Sequence, residues 1–171
     1  NLGLTEHLAV LEAERCLQCK NPKCIDGCPV RVNIPRFIDL LRRGDMAGAA
    51  DSLLGDNALP CVTGRVCPQE TQCEGLCLRA KKGTSVGIGS LERYVADWAQ
   101  AHPEALAHPV PTPRGRTVAI VGSGPAGLSA AYFLARLSYK PVVFEAEPKA
   151  GGMLVQAIPA YNLIPPNETR D

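Results

Sequence analysis

Four cysteines crowd into the segment "CLQCKNPKCIDGCP", which runs from Cys16 to Pro29. Thiol groups at such short spacing can pair as disulfides, bind zinc or hold an iron–sulfur cluster. All the cysteines of the chain lie in its first half: Cys16, Cys19, Cys24, Cys28, Cys61, Cys67, Cys73 and Cys77. The chemistry of the protein therefore depends on which of these three uses applies.

Disulfides and zinc both fit this pattern poorly. The first residues, "NLGLTEHLAV", carry no secretory signal, so an oxidising compartment is not indicated. Structural zinc sites usually combine two paired C-x2-C or H-x3-H motifs, whereas C-x2-C occurs once here, at Cys16 and Cys19.

The spacing favours iron–sulfur clusters. A bacterial ferredoxin has the run C-x2-C-x2-C-x3-C-P, whose last cysteine serves a second cluster. Here the run is C-x2-C-x4-C-x3-C-P, and a second Cys-Pro follows at Cys67 and Pro68. Three cysteines of the first group need a fourth ligand from the second group, and Cys28 needs partners there too. Two crossed clusters satisfy both requirements.

A glycine-rich motif in the second half points to a nucleotide. The stretch "VAIVGSGPAGLSAAYFLA" contains G-x-G-x-x-G at Gly122, Gly124 and Gly127, between an apolar run and a helical pattern. These glycines permit a tight turn, close approach of a pyrophosphate, and close helix–strand packing. Glu145 ends the next apolar run and could accept hydrogen bonds from a ribose. The motif alone does not distinguish FAD from NAD.

Periodicity suggests the elements that position these residues. "TEHLAVLEAERCLQC" predicts a helix capped by Thr5, with Leu8 and Leu11 on its apolar stripe. "IPRFIDLLRRGDMAGAADSLLGDN" predicts two short helices separated at Gly44, and "GIGSLERYVADWAQAH" predicts a further helix. "NALPCVTGRVCPQETQCEGLC" contains many helix breakers and predicts loops and single turns.

The two chemistries fall in two modules. We predict an α-helical iron–sulfur domain over residues 1–106 and a Pro-rich linker over 107–115. Residues 116–171 are predicted to be the incomplete start of an α/β Rossmann-like FAD-binding domain, because the pattern changes to strand–helix–strand.

Composition excludes several partners. The net charge is +1, from 18 basic and 17 acidic residues, which gives no indication of nucleic-acid binding. Basic residues surround the cysteines in sequence, and a solvated face is the favoured interpretation over a docking patch. No apolar run is long enough for a membrane helix. We therefore predict a cytoplasmic protein with an incomplete N-terminus.

The cysteine segments resemble a known family. "CLQCKNPKCIDGCPVRVNIPRFIDLL", "GRVCPQETQCEGLC" and "GIGSLERYVAD" are similar to the N-terminal domain of the NAD(P)H-dependent glutamate synthase small subunit. Ferredoxin–NADP transhydrogenases and dihydropyrimidine dehydrogenase share this domain. The resemblance implies two [4Fe–4S] clusters, the first held by Cys16, Cys19, Cys24 and Cys77, and the second held by Cys28, Cys67, Cys73 and Glu92. Cys61 remains the alternative fourth ligand of the second cluster.

The glycine motif resembles the FAD site of the same family. The resemblance rests on "GPAG" and on two glycines that follow Glu145. It implies that FAD binds at these positions: Gly122, Ser123, Gly124, Pro125, Ala126, Gly127, Glu145, Gly151 and Gly152. It also implies that NAD(P)H binds a later part of a longer chain.

The implied function is electron relay. In the family, NAD(P)H reduces FAD, and electrons pass through the clusters to a large partner subunit such as that of glutamate synthase. No side chain resembles a general acid or base, so no catalytic residue is assigned. The alternatives are a non-enzymatic wiring subunit of a bifurcating hydrogenase, formate dehydrogenase or transhydrogenase, and a zinc-stabilised flavoprotein. A second dinucleotide motif downstream would favour the NAD(P)H enzyme.

Overall fold

The computed structural model describes residues 3–106 and 114–158, which fall into two compact units divided after Leu106. Most of the predicted linker, residues 107–113, lies outside the described residues, and so does the end of the predicted α/β part, residues 159–171. Across the described ranges, no helix has the length and apolar character needed to cross a bilayer.

The first unit is helical. Its α-helices are α1 Glu6–Glu14, α2 Lys23–Asp26, α3 Ile34–Arg42, α4 Met46–Asp56, α5 Pro60–Val66 and α6 Ile88–Ala101. Tighter 3-10 helices lie at Gln69–Thr71, Leu78–Lys82 and Pro103–Leu106. The helices predicted from periodicity correspond to α1, α3, α4 and α6, and are confirmed.

Local sequence explains where these helices begin and end. The Thr5 side chain accepts a hydrogen bond from the Leu8 N–H and caps α1. Pro35 lies in the first turn of α3, where its missing N–H costs nothing. Gly44 follows the end of α3 with φ of +79°, a left-handed conformation that favours glycine. The predictions that Thr5 caps the first helix and that two helices are separated at Gly44 are confirmed.

The core of the first unit lies between α3, α4 and α6. Phe37 and Ile38 of α3, Leu53 of α4, and Leu91 and Val95 of α6 are fully buried there. Cys73 belongs to the same buried cluster, and Cys16, Cys24, Cys28 and Cys77 pack against it. The core therefore supports the loops that carry the thiols.

Helix α1 buries a different face from the predicted one. Ala9 and Ala13 are fully buried, whereas Leu8 and Leu11 are about half exposed, at 48% and 46%. The prediction of an apolar stripe through Leu8 and Leu11 was therefore wrong. The small alanine side chains allow α1 to pack closely against α3 and α6.

Helix α5 was also missed, because its segment was predicted to be loops and single turns. Pro60 occupies its first turn, where proline is compatible with a helix. Gly64 lies inside the helix and packs against the Arg93 backbone of α6, so that a Cβ at Gly64 would lie 2.8 Å from the Arg93 nitrogen. Tertiary contact with α6 thus outweighs the weak helix propensity of this segment.

We expect Gly64→Ala to lower the free energy of unfolding by about 1–3 kcal/mol, because the added methyl group must separate α5 from α6. Gly55→Ala in α4 is the matched control, since a Cβ there would meet nothing within 4 Å. The control should be neutral or stabilising, by up to about 1 kcal/mol, through helix propensity alone. Urea unfolding of both variants measures the difference, and equal effects would contradict the packing argument.

The second unit is a small parallel βαβ arrangement. Strand β1 Thr117–Val121 pairs in parallel with β2 Lys140–Phe144, in the register Thr117↔Lys140 to Val121↔Phe144. Helix α7 Pro125–Arg136 connects them, and the short helix α8 Met153–Gln156 follows β2. The predicted strand–helix–strand order is confirmed for the described residues, and the glycine-rich turn lies between β1 and α7.

Candidate functional site

The structure brings the first predicted set of cysteines to one cavity. Cys16 and Cys19 lie in the loop after α1, Cys24 lies in α2, and Cys77 immediately precedes the 3-10 helix Leu78–Lys82. These four thiols line the same cavity, with apolar walls that include Ile34, Ile38 and Val86. Segments distant in sequence thus converge around one volume, as a four-ligand cluster requires.

The pKa of a thiol in this cavity depends on burial and on the thiols beside it. Burial, together with the nearby Cys16 and Cys77 thiols, raises the pKa of Cys24 to about 11. Burial also raises the pKa of Cys16, and Cys19 and Cys77 add to that increase. A bound metal cation would therefore stabilise thiolates in this cavity, because metal binding deprotonates such ligands.

Gln18 shapes the loop between Cys16 and Cys19. Its φ of +48° is left-handed, which is uncommon for a residue with a side chain. Its side-chain amide donates hydrogen bonds to the Pro35 carbonyl, at 3.0 Å, and to the Cys16 sulfur, at 3.4 Å. Sequence reasoning missed Gln18, since nothing in the spacing of the cysteines reports a hydrogen bond to sulfur.

The second predicted set comes from four separate segments. Cys28 follows α2, Cys67 ends α5, Cys73 lies after the 3-10 helix Gln69–Thr71, and Glu92 belongs to α6. Burial raises the pKa of Cys73 to about 12, and Glu74, Glu92 and Cys28 add to the increase. Burial raises the pKa of Cys67 as well, with contributions from Glu92 and Cys28. Cys67 and Cys73 therefore both respond to the charge of Glu92 and of Cys28.

The loops that carry Cys28 and Cys73 cross closely. A Cβ on Gly27 would lie 2.6 Å from the Gln72 carbonyl oxygen, so only glycine allows this approach. The crossing therefore brings the backbone beside Cys28 against the backbone beside Cys73.

Glu92 is a buried carboxyl group, 9% exposed, that accepts hydrogen bonds from two neutral side chains. The Asn57 amide donates to its Oε1 at 3.0 Å, and the Thr63 hydroxyl donates to the same oxygen. Burial raises the pKa of Glu92 to about 7, and these two hydrogen bonds partly oppose the increase. Both donors bind Oε1, which leaves Oε2 for a cation. Asn57 carried no signal in the sequence that linked it to Glu92.

Cys61 faces a different direction. Its thiol lies 3.6 Å from both the Ala96 carbonyl and the Gln100 side-chain oxygen, beside the later turns of α6. Burial raises its pKa first, and the nearby Asp97 carboxylate raises it further. The Arg65 guanidinium opposes this increase in the pKa of Cys61, and the Glu92 carboxylate adds a smaller increase.

All eight cysteines are unpaired thiols. Within the described ranges, no three His, Cys, Asp or Glu side chains are close enough to bind one metal ion. A cubane carries its ligands on four separate irons and therefore spaces them more widely than a single zinc ion does. The wide placement of thiols around one cavity is compatible with such a multi-iron core.

The glycine-rich turn of the second unit has the shape of a phosphate site. Gly122 has φ of +91°, and a Cβ on Gly127 would lie 2.0 Å from the Gly122 carbonyl oxygen. A Cβ on Gly124 would meet nothing within 4 Å, so this position faces open space at the start of α7. The turn thus leaves room for a ligand against the helix N-terminus, where backbone N–H groups favour phosphate.

Hydrogen bonds between Ser123 and Glu145 stabilise this turn. The buried Ser123 donates from its N–H to Glu145 Oε2 at 2.8 Å, and its hydroxyl donates to the same oxygen. The Ser123 hydroxyl also accepts from the Gly151 N–H at 3.0 Å, and a Cβ on Gly152 would lie 3.0 Å from the Gly124 Cα. Hydrogen bonds from Glu147 and Ser123 lower the pKa of Glu145 to about 2.

These features define a class of protein, namely a helical domain with a cysteine-lined cavity joined to a Rossmann-like unit. Residues 1–104 match the family described as dihydropyrimidine dehydrogenase domain II, 4Fe-4S cluster, and the chain belongs to that family. Residues 120–156 match a family of NAD(P)-binding Rossmann-like domains.

Curated relatives agree with the resemblance inferred from the cysteine segments, which is confirmed. The chain is 43% identical over 155 residues to the NADPH glutamate synthase small chain of Halomonas elongata, a match that covers 91% of this chain and 33% of that protein. It is 42% identical over 159 residues to the Escherichia coli small chain, a match that covers 93% of this chain and 34% of that protein. It is 37% identical over 161 residues to the NAD-dependent dihydropyrimidine dehydrogenase subunit PreT of Salmonella typhimurium, covering 94% and 39%. The chain thus spans about a third of the length of the relatives it matches.

Proposed function

We propose that this chain is the electron-transfer part of an NAD(P)H-dependent flavo-iron–sulfur oxidoreductase. The observation that carries the proposal is the convergence of Cys16, Cys19, Cys24 and Cys77 on one cavity. The names of two relatives include a nicotinamide nucleotide: NADPH for the glutamate synthase small chain and NAD for the PreT subunit. We therefore propose NAD(P)H as the electron donor. A large subunit, such as that of glutamate synthase, is the proposed partner.

We propose two [4Fe–4S] clusters in a module of residues 1–106. The first would be held by the cavity thiols, and the second by Cys28, Cys67, Cys73 and Glu92. The mutual pKa effects within each set support this division. When bound, the flavin would convert hydride transfer into single-electron transfer, and the clusters would relay those electrons.

FAD is the proposed nucleotide of the second module, which begins near residue 116. The open space at Gly124 would take the pyrophosphate, and Pro125, Ala126 and the α7 N-terminus would flank it. Glu145 would bind the ribose. Its carboxylate accepts hydrogen bonds from the Ser123 N–H and hydroxyl and from the Glu147 N–H, so a ribose hydroxyl would share or replace one of these donors.

Iron and sulfide assays test the cluster proposal directly. We expect about eight irons and about eight acid-labile sulfides per chain in anaerobically purified protein, because each cubane holds four of each. The control is protein treated with a chelator under air, which should lose its broad visible absorption as the clusters decompose. A reproducible content near four irons would contradict the second cluster, and zinc in place of iron would contradict both.

A further inference from the structure

The surface beside the first cysteine cavity combines apolar and basic side chains. Leu17, Leu76 and Leu78 are 55%, 47% and 38% exposed, although each of them also lines the cysteine cavity. The 3-10 helix Leu78–Lys82 begins directly after Cys77 and carries Arg79, Lys81 and Lys82. We call these six side chains the cavity-edge patch: Leu17, Leu76, Leu78, Arg79, Lys81 and Lys82.

Two surface depressions extend the cavity-edge patch. One of about 520 Å³ is lined by Arg79 and Lys82 together with Arg15, and one of about 370 Å³ is lined by Lys81 together with Lys23. Among the described residues, neither depression has an aspartate or glutamate in its lining. Both depressions meet at Leu78, so the apolar centre is flanked by positive charge on two sides.

The basic side chains differ in how far their charge is compensated. Arg15 pairs with Glu12, and Lys23 pairs with Asp26 at 3.2 Å. By contrast, Arg79, Lys81 and Lys82 form no ion pair with any residue in the described ranges. The excess positive charge is therefore concentrated on the segment that follows Cys77.

We propose that the cavity-edge patch is the docking surface for a redox protein whose own contact surface is acidic. This inference rests on the proposed function, since it takes the cavity of Cys16, Cys19, Cys24 and Cys77 to hold a cluster. An apolar centre with a charged rim is the anatomy of a transient protein interface. The positive rim would steer an acidic partner to the edge of the cavity whose thiols would hold the cluster. In each encounter the partner gains one electron and the reduced cluster loses one, with no bond formed or broken.

The decisive experiment reverses the charge of the rim. The full-length holoprotein is reduced with dithionite and mixed in a stopped-flow instrument with cytochrome b5, an acidic carrier, or cytochrome c, a basic one. Lys81→Glu/Lys82→Glu should slow electron transfer to cytochrome b5 by about tenfold or more at low ionic strength and accelerate transfer to cytochrome c. The difference should shrink as salt shortens the Debye length from about 30 Å at 0.01 M to about 8 Å at 0.15 M.

The matched control is Arg116→Glu/Lys140→Glu, which changes the net charge equally but lies in the second unit. Its rates should stay within about twofold of the unmodified protein, because the charges lie outside the cavity-edge patch. Benzoquinone, a small neutral acceptor, should oxidise all variants at the same rate. Equal effects of the two double variants on cytochrome b5 would overturn the docking inference alone. Protein whose visible absorption does not bleach with dithionite would contradict the proposed function itself, before any carrier is added.

Discussion

Replacing Glu92 with alanine is expected to open one iron of the second cluster while the first cluster stays intact. Glu92 is buried and its Oε1 accepts hydrogen bonds from Asn57 and Thr63, and we propose that its Oε2 binds iron. Loss of that ligand should lower the iron content from about eight to about seven per chain, or to about four if the damaged cluster falls apart. Electron paramagnetic resonance should then show a three-iron signal or the loss of one cluster signal.

Two further variants separate ligation from packing. Glu92→Ala removes the acceptor that Asn57 and Thr63 share, although Asn57 still donates to the Thr63 hydroxyl and that hydroxyl to the Leu59 carbonyl. By itself this loss costs about 0.5–1.5 kcal/mol of stability for each hydrogen bond removed. Glu92→Cys also removes the hydrogen-bond acceptor but supplies a thiolate, so it should retain about eight irons and shift the potential of one cluster. A redox titration measures that shift. If Glu92→Cys loses iron as Glu92→Ala does, Glu92 acts by packing and not by binding iron.

Cys61→Ser is the control for the alternative ligand. Because the Cys61 thiol faces Ala96 and Gln100, its loss should leave the iron content and both cluster signals unchanged. A cluster lost in Cys61→Ser but retained in Glu92→Ala would reverse the assignment of the fourth ligand.

The sequence predicted those features of the fold that depend on local or repeated patterns. The Thr5 cap, the left-handed Gly44 and the long apolar period of α6 could be predicted because neighbouring residues determine them. Helix α5 could not, because contact between Gly64 and α6 stabilises it against a weak local propensity. The buried face of α1 was misjudged for a related reason, since the size of the Ala9 and Ala13 side chains decides how closely helices approach.

In the candidate site, too, local sequence patterns predicted some features, whereas others depend on tertiary packing. Cysteine spacing predicted that two groups of ligands must cross, and in the structure Cys16, Cys19, Cys24 and Cys77 line one cavity. The membership of the second set stays a prediction. The spacing of the cysteines could not reveal which side chains donate hydrogen bonds to Glu92, because Asn57 is 35 residues away from it in sequence. Nor could spacing show which way Cys61 points. Both depend on how α5 is rotated against α6, which only the packed structure determines.

Gly124→Val is expected to weaken FAD binding by about 100-fold, so that the purified protein contains little flavin. The position of its Cβ meets nothing within 4 Å, so the side chain can enter the proposed pyrophosphate space without disturbing the turn. The clusters belong to the other compact unit and should keep about eight irons. Flavin absorbance and iron content in the full-length protein measure both outcomes.

Gly127→Ala provides the contrast for this prediction. A Cβ there would lie 2.0 Å from the Gly122 carbonyl oxygen, which forces the turn and the start of α7 apart. We therefore expect Gly127→Ala to lose flavin together with the thermal stability of the second unit, whereas Gly124→Val should lose flavin alone. Calorimetry of the flavin-free forms of both variants and of the unmodified protein makes this comparison without the stabilising effect of bound ligand. Flavin retained at the unmodified stoichiometry in Gly124→Val would contradict the placement of the pyrophosphate, because a branched side chain and a phosphate cannot share that space.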